Sequence, residues 1–446
     1  MAKRKTGEER KVEATAGTSD FLLKYRSLVS ADDILAAGMR LGAIERQRKI
    51  DLPKLVEATI LALGPLPGTQ MTAFENYLAL AGQEVAPSSF YDRFSPGFAA
   101  LMKEVAGNAV KAVREATPEG SDDSGFGVLL EQFKDVRITD STAHFLKRFA
   151  KAWARSTSRV RPAAVKLHVT ISLQNGLPTH SAITEQRVHD NKAFPEDAME
   201  PGTLHLFDLG YIDVARFIEM GLREVAFLTR LKDSHNPKIV RVHVGEGSRV
   251  ACRGSRIDDA LRDGNLLTEN GLIDLDVQLT AADKSCIARV VGVVDEADDN
   301  SIHWYLTSVP REVLDARDVA ETYRLRWIIE LVNKQLKSGL GLDSILAWRE
   351  PAVTALVHAK IVALCLARLM EIAVQAKDGI HIIARLAMVL VLARSTGLFI
   401  AHRLMTEGVT IEEFERRIML IATVAARTRN RRREREKRKR EAALGR

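Results

Sequence analysis

Tyr323, Arg326, Glu330 and Lys337 are separated by two, three and six residues in the segment YRLRWIIELVNKQLK. The segment reads as one helix rich in Leu, Ile, Val and Trp. At about 100° per residue, with Tyr323 at zero, Arg326 falls near ~300°, Glu330 near ~340° and Lys337 near ~320°, with Asn333 and Lys334 beside them. One narrow stripe therefore carries a carboxylate flanked by cations and a phenol. A solvated helix face is the competing reading, although such faces favour Glu/Lys pairs at four-residue spacing.

Two more carboxylates fit the same chemistry. Asp140 in DVRITD shares strand parity with Val136 and Ile138, and Asp208 in GTLHLFDLGY shares it with Leu204 and Leu206. Taken singly, each reads as a turn or helix cap. Burying an ionised carboxylate costs several kcal/mol unless a cation or good hydrogen bonds compensate. Two such aspartates on neighbouring strands repel each other, and a divalent cation between them resolves the conflict. Hard oxygen ligands suit Mg2+ or Mn2+. Glu330, from a packed helix, completes the set. Two metals about 4 Å apart can activate water and stabilise the leaving oxygen of a phosphodiester. Arg326, Lys334 and Lys337 then lie where phosphates sit, Arg binding through two hydrogen bonds and Lys as a point charge. Tyr323 donates to a phosphate oxygen or orients Glu330.

The elements that must position these residues follow from local pattern. Residues 1–20 read as a disordered basic N-terminus and 21–116 as a helical domain. Within it, MTAFENYLALAGQEVAPSSFYDRFSPGFAALMKEVA holds two helical runs, the first ended by Gly82 and the second capped by Ser88 or Ser89. A helix-turn-helix DNA reader and an ordinary helical hairpin are equally consistent with that pattern. Residues 117–127 form a linker by composition. Residues 128–235 form the first part of an α/β core. VKLHVTISLQNGLPTHSAIT alternates apolar and polar residues, and Asn175-Gly176 supplies a tight hairpin turn. GTLHLFDLGY is a central strand covered on both faces. DVARFIEMG is a helix that Asp213 caps, and EVAFLTRLK is a further strand. Residues 236–309 form a β-rich insertion. Residues 310–365 hold the second part of the core with the Glu330 helix, 366–426 are C-terminal helices and 427–446 a basic tail.

Composition excludes several classes. The 446 residues are 46% hydrophobic and 28% charged, ordinary for a globular protein of two or three domains. Cys252, Cys286 and Cys365 are far apart and form no C-x-x-C pair, which argues against a zinc ribbon and a disulfide framework and fits a reducing cytoplasm. The start, MAKRKTGEERK, is charged and has no secretory pattern. Charges interrupt the most apolar stretches, so buried helices are favoured over membrane spans. Net charge is +7, and Arg427 to Arg440 alone hold ten Lys/Arg against two Glu. Such a tail attracts polyanions without reading sequence; a frayed, solubilising helix end is its bland alternative. A second basic run, KRFAKAWARSTSR from Lys147 to Arg159, is placed to meet DNA phosphates or simply to solvate a surface. His144, His168, His180, His189 and His205 lack ligand spacing on any helix face and read as structural or exposed. His168 falls on the hairpin's polar face. Asp190 reads as a loop residue.

With Tyr323, Arg326, Glu330 and Lys337 at these gaps, TDST around Asp140, DLGY from Asp208 and GLGLD after the Glu330 helix, the chain resembles the DDE transposases of bacterial insertion sequences, of the insertion-sequence-four type. Their signature is Tyr, two residues, Arg, three residues, Glu, six residues, Lys. The resemblance spans about 131 to 346. It implies an RNase H-like α/β catalytic core interrupted by a β-rich insertion, with helices on either side. It also implies catalytic and metal-binding roles for Asp140, Asp208 and Glu330, with Mg2+ or Mn2+ as cofactor. Tyr323, Arg326, Lys334 and Lys337 would contact DNA. Arg230 in FLTRLK resembles a basic DNA contact. Trp304 in HWYLTS resembles an aromatic that stacks on an expelled base, an interaction worth ~1–3 kcal/mol; a core role in the sheet is equally open. The implied reaction is metal-dependent hydrolysis at transposon ends followed by strand transfer, often through a hairpin end. The implied partners are double-stranded DNA, as terminal inverted repeats and target, and a second protomer on paired ends, in a bacterial cytoplasm with no membrane attachment. Leu209 departs from the usual D-R-G wording. A non-catalytic DNA-binding protein of transposase ancestry, and a nuclease of the same fold without strand transfer, are the alternative functions.

Overall fold

A computed structural model describes residues 27–374, with interruptions at 28–29, 46–49, 63–69, 83, 117–126, 175, 233, 296–300, 335, 338–340 and 343–344. The expected N-terminal segment 1–20, most of the linker, the helices beyond 374 and the basic tail lie outside the described residues. The chain divides into two compact units: one from 1–125, 144–164 and 332–446, the other from 126–143 and 165–331.

The first unit is mainly helical where it is described, apart from the loop region 144–164. Its helices include Ala31–Arg40, Leu52–Ile60, Gln70–Ala81, Pro87–Tyr91, Pro96–Ala116, the short Arg148–Ala152 and Glu350–Val374. The long helices Pro96–Ala116 and Glu350–Val374 pack on each other. Gly82 ends Gln70–Ala81 with φ +62, as its sequence position implies. The second run differs from expectation. It begins at Pro87 with Ala86 as an unassisted cap, and it breaks after five residues. Ser95 and Pro96 start the next helix, the Ser95 hydroxyl accepting from the Phe98 N–H at 3.2 Å. Proline is preorganised for the first helical turn and cannot donate further back, so the apolar run reads through while the backbone does not. Phe74, Tyr77, Phe90, Phe94 and Phe98 fill the resulting corner in tilted and edge-to-face contacts. Among the described residues, no helix is long and apolar enough to cross a membrane.

The second unit is built on a nine-stranded sheet. In chain order the strands are β1 (Asp135–Phe145), β2 (Ala164–Ser172), β3 (Pro178–Glu185), β4 (Thr203–Phe207), β5 (Ala226–Arg230), β6 (Lys238–Val244), β7 (Glu246–Gly247), β8 (Leu266–Leu267), β9 (Leu272–Ala281), β10 (Lys284–Asp295) and β11 (Ser301–Thr307). The large sheet runs β3-β2-β1-β4-β5-β11-β10-β9-β6, and β7 and β8 form a separate ribbon. β1, β4 and β5 are mutually parallel, whereas β2–β3 and every pair from β5 onward through β11 are antiparallel. The half from β3 to β5 is the RNase H-like arrangement, with the helix Val214–Leu222 crossing over between β4 and β5. Asp213 caps that helix through the N–H groups of Ala215 and Arg216. The β-rich segment after 236 continues this same sheet through β11.

Two local expectations change. The β2–β3 connection is longer than a two-residue turn: Ser172 N–H donates to Leu177 O at 3.0 Å and Gly176 N–H to Ser172 O at 2.9 Å. Asn175 itself lies outside the described residues. The polar side of β2 is not solvated either. Lys166 donates to Asp190, His168 pairs with Tyr211 and Thr184, Thr170 with Thr139, and Ser172 donates to Asp135. A central strand has no free face, so its polar side chains must find partners inside.

Candidate active site

The site grows from strand register. β1 and β4 pair Val136 with Leu204, Ile138 with Leu206 and Thr139 with Phe207. Asp208 follows Phe207 in extended backbone, φ −81 and ψ 163. One further step of the same register therefore sets Asp140 beside Asp208, on one face of strands that lie about 4.8 Å apart. β5 pairs Phe207 with Thr229, so the next step brings Arg230 beside Asp208, and Arg230 is itself the partner of Tyr305. Asp140, Asp208, Arg230 and Tyr305 form one row across four strands.

The third carboxylate arrives on the helix Trp327–Lys334. The sequence reads Tyr323 to Lys337 as a single helix, but the structure interrupts it. The helix Ala316–Arg324 ends, Leu325 and Arg326 form a turn, and a new helix starts at Trp327. Across the break the N–H groups of Leu325, Arg326, Ile328 and Ile329 bond three residues back. That tighter winding is the 3-10 pattern, which costs hydrogen-bond quality and appears in short pieces. The Arg326–Glu330 side of the stripe survives, because Arg326 Nη2 donates to Glu330 Oε1 at 2.7 Å. Glu330 is exposed and Arg326 partly buried.

Electrostatics link these groups. Burial pushes the Asp140 carboxyl up to about 6, against the backbone N–H of Ser141, which donates to it at 2.7 Å. Asp208 and Glu330 push it further up as like charges, and Arg326 pulls it down. Tyr323 is buried and its hydroxyl has no hydrogen-bond partner among the described residues. Burial pushes that phenol up to about 12; Asp208 adds to the rise, while Arg326 and Arg230 oppose it. The Tyr323 ring packs on Tyr305 at 5.4 Å between centroids, and the Arg326 guanidinium lies 6.0 Å from its centre. Asp140, Asp208, Glu330, Tyr323, Arg326 and Arg230 thus act on one another.

The other expected residues are placed differently. Lys334 is exposed in the turn of helix after Glu330, and Lys337 is half-buried beyond it. Trp304 is one position from Tyr305 and so faces the opposite side of the sheet. Its ring lies over Gly292, where an added Cβ would approach it to 2.7 Å, and it packs against the core cluster on that side of the sheet, which includes Phe207, Phe217 and Phe227. Arg230 Nη2 lies 3.1 Å from His303 Nδ1 on the Tyr305 side.

A supporting network stands behind the aspartates, and local sequence reading does not assemble it. Asp190 accepts from Lys166 Nζ at 2.6 Å and from the hydroxyl of Ser141, the neighbour of Asp140, at 3.2 Å. Its other oxygen lies 2.9 Å from where a Cβ on Gly210 would stand, so a side chain there would displace the Asp190 carboxylate. Tyr211, from the same turn, meets buried His168 at 2.9 Å. Burial lowers His168 to about 4 and raises Tyr211. Asp190 has no spacing signal; the alternating Lys166 and His168 are the only hint, and they read as a wet face.

Among the described residues, no three His, Cys, Asp or Glu side chains stand together as a closed metal-ligand group. Glu330 is engaged by Arg326. The donor set nonetheless suits a hard divalent cation: two register-paired aspartates and a glutamate, of which Asp208 and Glu330 both push the Asp140 carboxyl up as like charges.

The model of the family described as Transposase DDE domain matches residues 131–366. The chain is similar to the putative transposase y4zB of Sinorhizobium fredii, with 27% identity over 237 residues, 52% of this chain and 60% of that protein. It is also similar to the transposase for insertion sequence element IS231C of Bacillus thuringiensis subsp. berliner, with 22% identity over 377 residues, 73% of this chain and 74% of that one. The alignment with the first relative therefore spans three fifths of that protein's length. A structure of the piggyBac transposase synaptic complex with hairpin DNA aligns over 90% of this chain and 85% of that chain at 9% identity, and its TM-score of 0.42 is too low to bear on this chain.

Proposed function

The chain belongs to the transposase DDE domain family, and on that premise we propose that it is a DNA transposase of the insertion-sequence-four type. It cleaves phosphodiester bonds at the terminal inverted repeats of a mobile element and joins the freed 3′ ends to target DNA. The observation that carries this reading is the row that sets Asp140 beside Asp208 on parallel strand ends, with Glu330 adding like charge to them. Arg230 in the row and Arg326 on the helix face this negative charge, and Arg326 is already committed to Glu330.

Asp140, Asp208 and Glu330 would hold Mg2+ or Mn2+. Bound there, a divalent cation supplies the positive charge that makes water or a 3′ hydroxyl nucleophilic and stabilises the departing oxygen. The chain's own residues do the rest. Arg326 presents a planar fork that suits a phosphate and can exchange Glu330 for it. The buried Tyr323 hydroxyl, unpartnered among the described residues, stays protonated at neutral pH and is a donor for a phosphate oxygen. Arg230 extends positive charge along the same row. Lys334 and Lys337 add cations for flanking phosphates. The base-stacking role of Trp304 would require its ring to leave the core side of the sheet. Two copies of the chain on two element ends would form the working assembly, acting on DNA in the bacterial cytoplasm.

The test is the full-length protein with a labelled element end and Mg2+. Asp208→Ala should bind the end with unchanged affinity and cut it at a rate reduced by several orders of magnitude. Undiminished cutting removes Asp208 from the site. Cutting without joined products in a plasmid-target assay would make the protein a nuclease.

A further inference from the structure

A second surface, wholly within the helical unit, has a chemistry that the carboxylate site does not use. Between 145 and 163 the chain carries six exposed cations, Lys147, Arg148, Lys151, Arg155, Arg159 and Arg161, and no acidic residue. Aromatic rings are exposed among them. Phe149 is 63% exposed and Trp348 50% exposed, and their rings meet edge to face with centroids 6.4 Å apart. The Arg148 guanidinium lies 5.3 Å from the centre of the Phe149 ring, and that of Arg161 lies 5.0 Å from the centre of Phe145.

Large apolar rings are usually buried, and placing two of them in water loses the stabilisation that burial gives. Here the backbone holds them out. Phe149 sits on the short helix Arg148–Ala152, which is pinned by fully buried Ala150 and Ala154. The loop is closed by Leu146 N–H to Ala163 O at 2.9 Å, Ser156 N–H to Pro162 O at 3.0 Å and Ala164 N–H to Ala154 O at 3.0 Å. Trp153 Nε1–H donates to Trp348 O at 2.9 Å and ties the two segments together. The rings are therefore ordered before any partner arrives, which lowers the entropy lost on binding.

We propose that this surface binds an unpaired strand of DNA, its bases stacking on Phe149 and Trp348 and its phosphates meeting the surrounding arginines and lysines. The charge selects a polyanion. The rings select bases freed from a duplex, because a paired base has no open face to offer. The proposal deepens the transposase reading, since it names a DNA form that such a protein would hold apart from its cleavage site, but its chemistry needs neither Asp140 nor Glu330.

The test measures affinity of the full-length protein for a short oligothymidine containing one 2-aminopurine and for a blunt duplex of equal length. Phe149→Ala with Trp348→Ala should weaken oligothymidine binding by roughly tenfold or more, abolish quenching of the 2-aminopurine, and change duplex binding less than twofold. Phe149→Ala alone should give a partial loss, and Phe149→Trp should restore it. That pair keeps the test informative if the double variant does not fold. Equal losses for both DNAs, or no loss for either, overturn the proposal. So does a change in oligomeric state on removing the rings, which would make the surface an interface between copies. Asp208→Ala should bind oligothymidine as the unsubstituted protein does. Wild-type protein that stacks oligothymidine but never cuts would sink the transposase reading and leave this one standing.

Discussion

One row of residues crosses the sheet from Asp140 through Asp208, Arg230, Tyr305 and Val291 to Asp274 on β9. An aspartate stands at each end, and the two ends solve the same physical problem differently. Asp274 is almost fully buried. Arg289 grips it with Nε at 3.1 Å and Nη2 at 2.7 Å, and Arg311 reaches it at 2.6 Å while also holding Asp276 at 2.9 Å. Burial opposes ionisation of Asp276, but hydrogen bonds from His243 and Arg311 outweigh it and hold that carboxyl below its ordinary range. Arg289 also donates to Leu314 O at 2.6 Å, just before Asp315 caps the helix that leads to Tyr323. This end of the row is a finished ionic cluster. At the other end Asp140 is desolvated beside further acids and is raised instead. Compensated charge anchors an element; charge desolvated and crowded by like charge gains from a cationic ligand.

The comparison breaks most visibly in catalysis. Asp140→Asn and Asp208→Asn should each reduce Mg2+-dependent cleavage by several orders of magnitude, whereas Asp274→Asn should retain turnover per folded molecule. Single-turnover cleavage normalised to folded protein tests this, and equal losses at both ends would erase the distinction. Stability should show the reverse order. Arg289→Met leaves Asp274 buried without its main partner and should cost about 3–5 kcal/mol in urea denaturation.

A subtler effect has the opposite sign. The folded-state carboxyl of Asp140 is raised, so its protonated form favours the fold. That contribution is full below its ordinary value of 3.8 and is lost as pH climbs to about 6. In chelator at neutral pH, Asp140→Asn should therefore stabilise the protein by about 1–3 kcal/mol and flatten the fall in stability between pH 4 and 6. Thermal melts across that window check it, and a destabilised Asp140→Asn protein would mean that this end is compensated after all. Smallest of all, Tyr323→Phe should change stability by less than about 1 kcal/mol, because its buried hydroxyl has no partner to lose. The same substitution should slow cleavage if the hydroxyl meets a phosphate.

Much of the site was legible because it is local. Parity along DVRITD and GTLHLFD gives the facing of Asp140 and Asp208, and four-residue spacing gives the Arg326–Glu330 pair that forms at 2.7 Å. The break at Leu325 and Arg326 was not legible, since periodicity of side chains continues across a turn that only hydrogen-bond geometry reveals. Trp304 shows the same limit. Its neighbours fix that it alternates with Tyr305, but not which side of the sheet holds the carboxylates. The Asp190–Lys166–Ser141 and His168–Tyr211 contacts join residues tens of positions apart, and alternation on β2 could not tell a solvated face from a polar interior.

The sequence by itself determined residue types, their spacing and their facing along each strand or helix, because these follow from backbone geometry within one element. Only the tertiary structure decided which aspartate is gripped by two arginines and which is crowded by like charge. Charge compensation depends on strand register and on what packs above the sheet, and both are settled by contacts between segments remote along the chain.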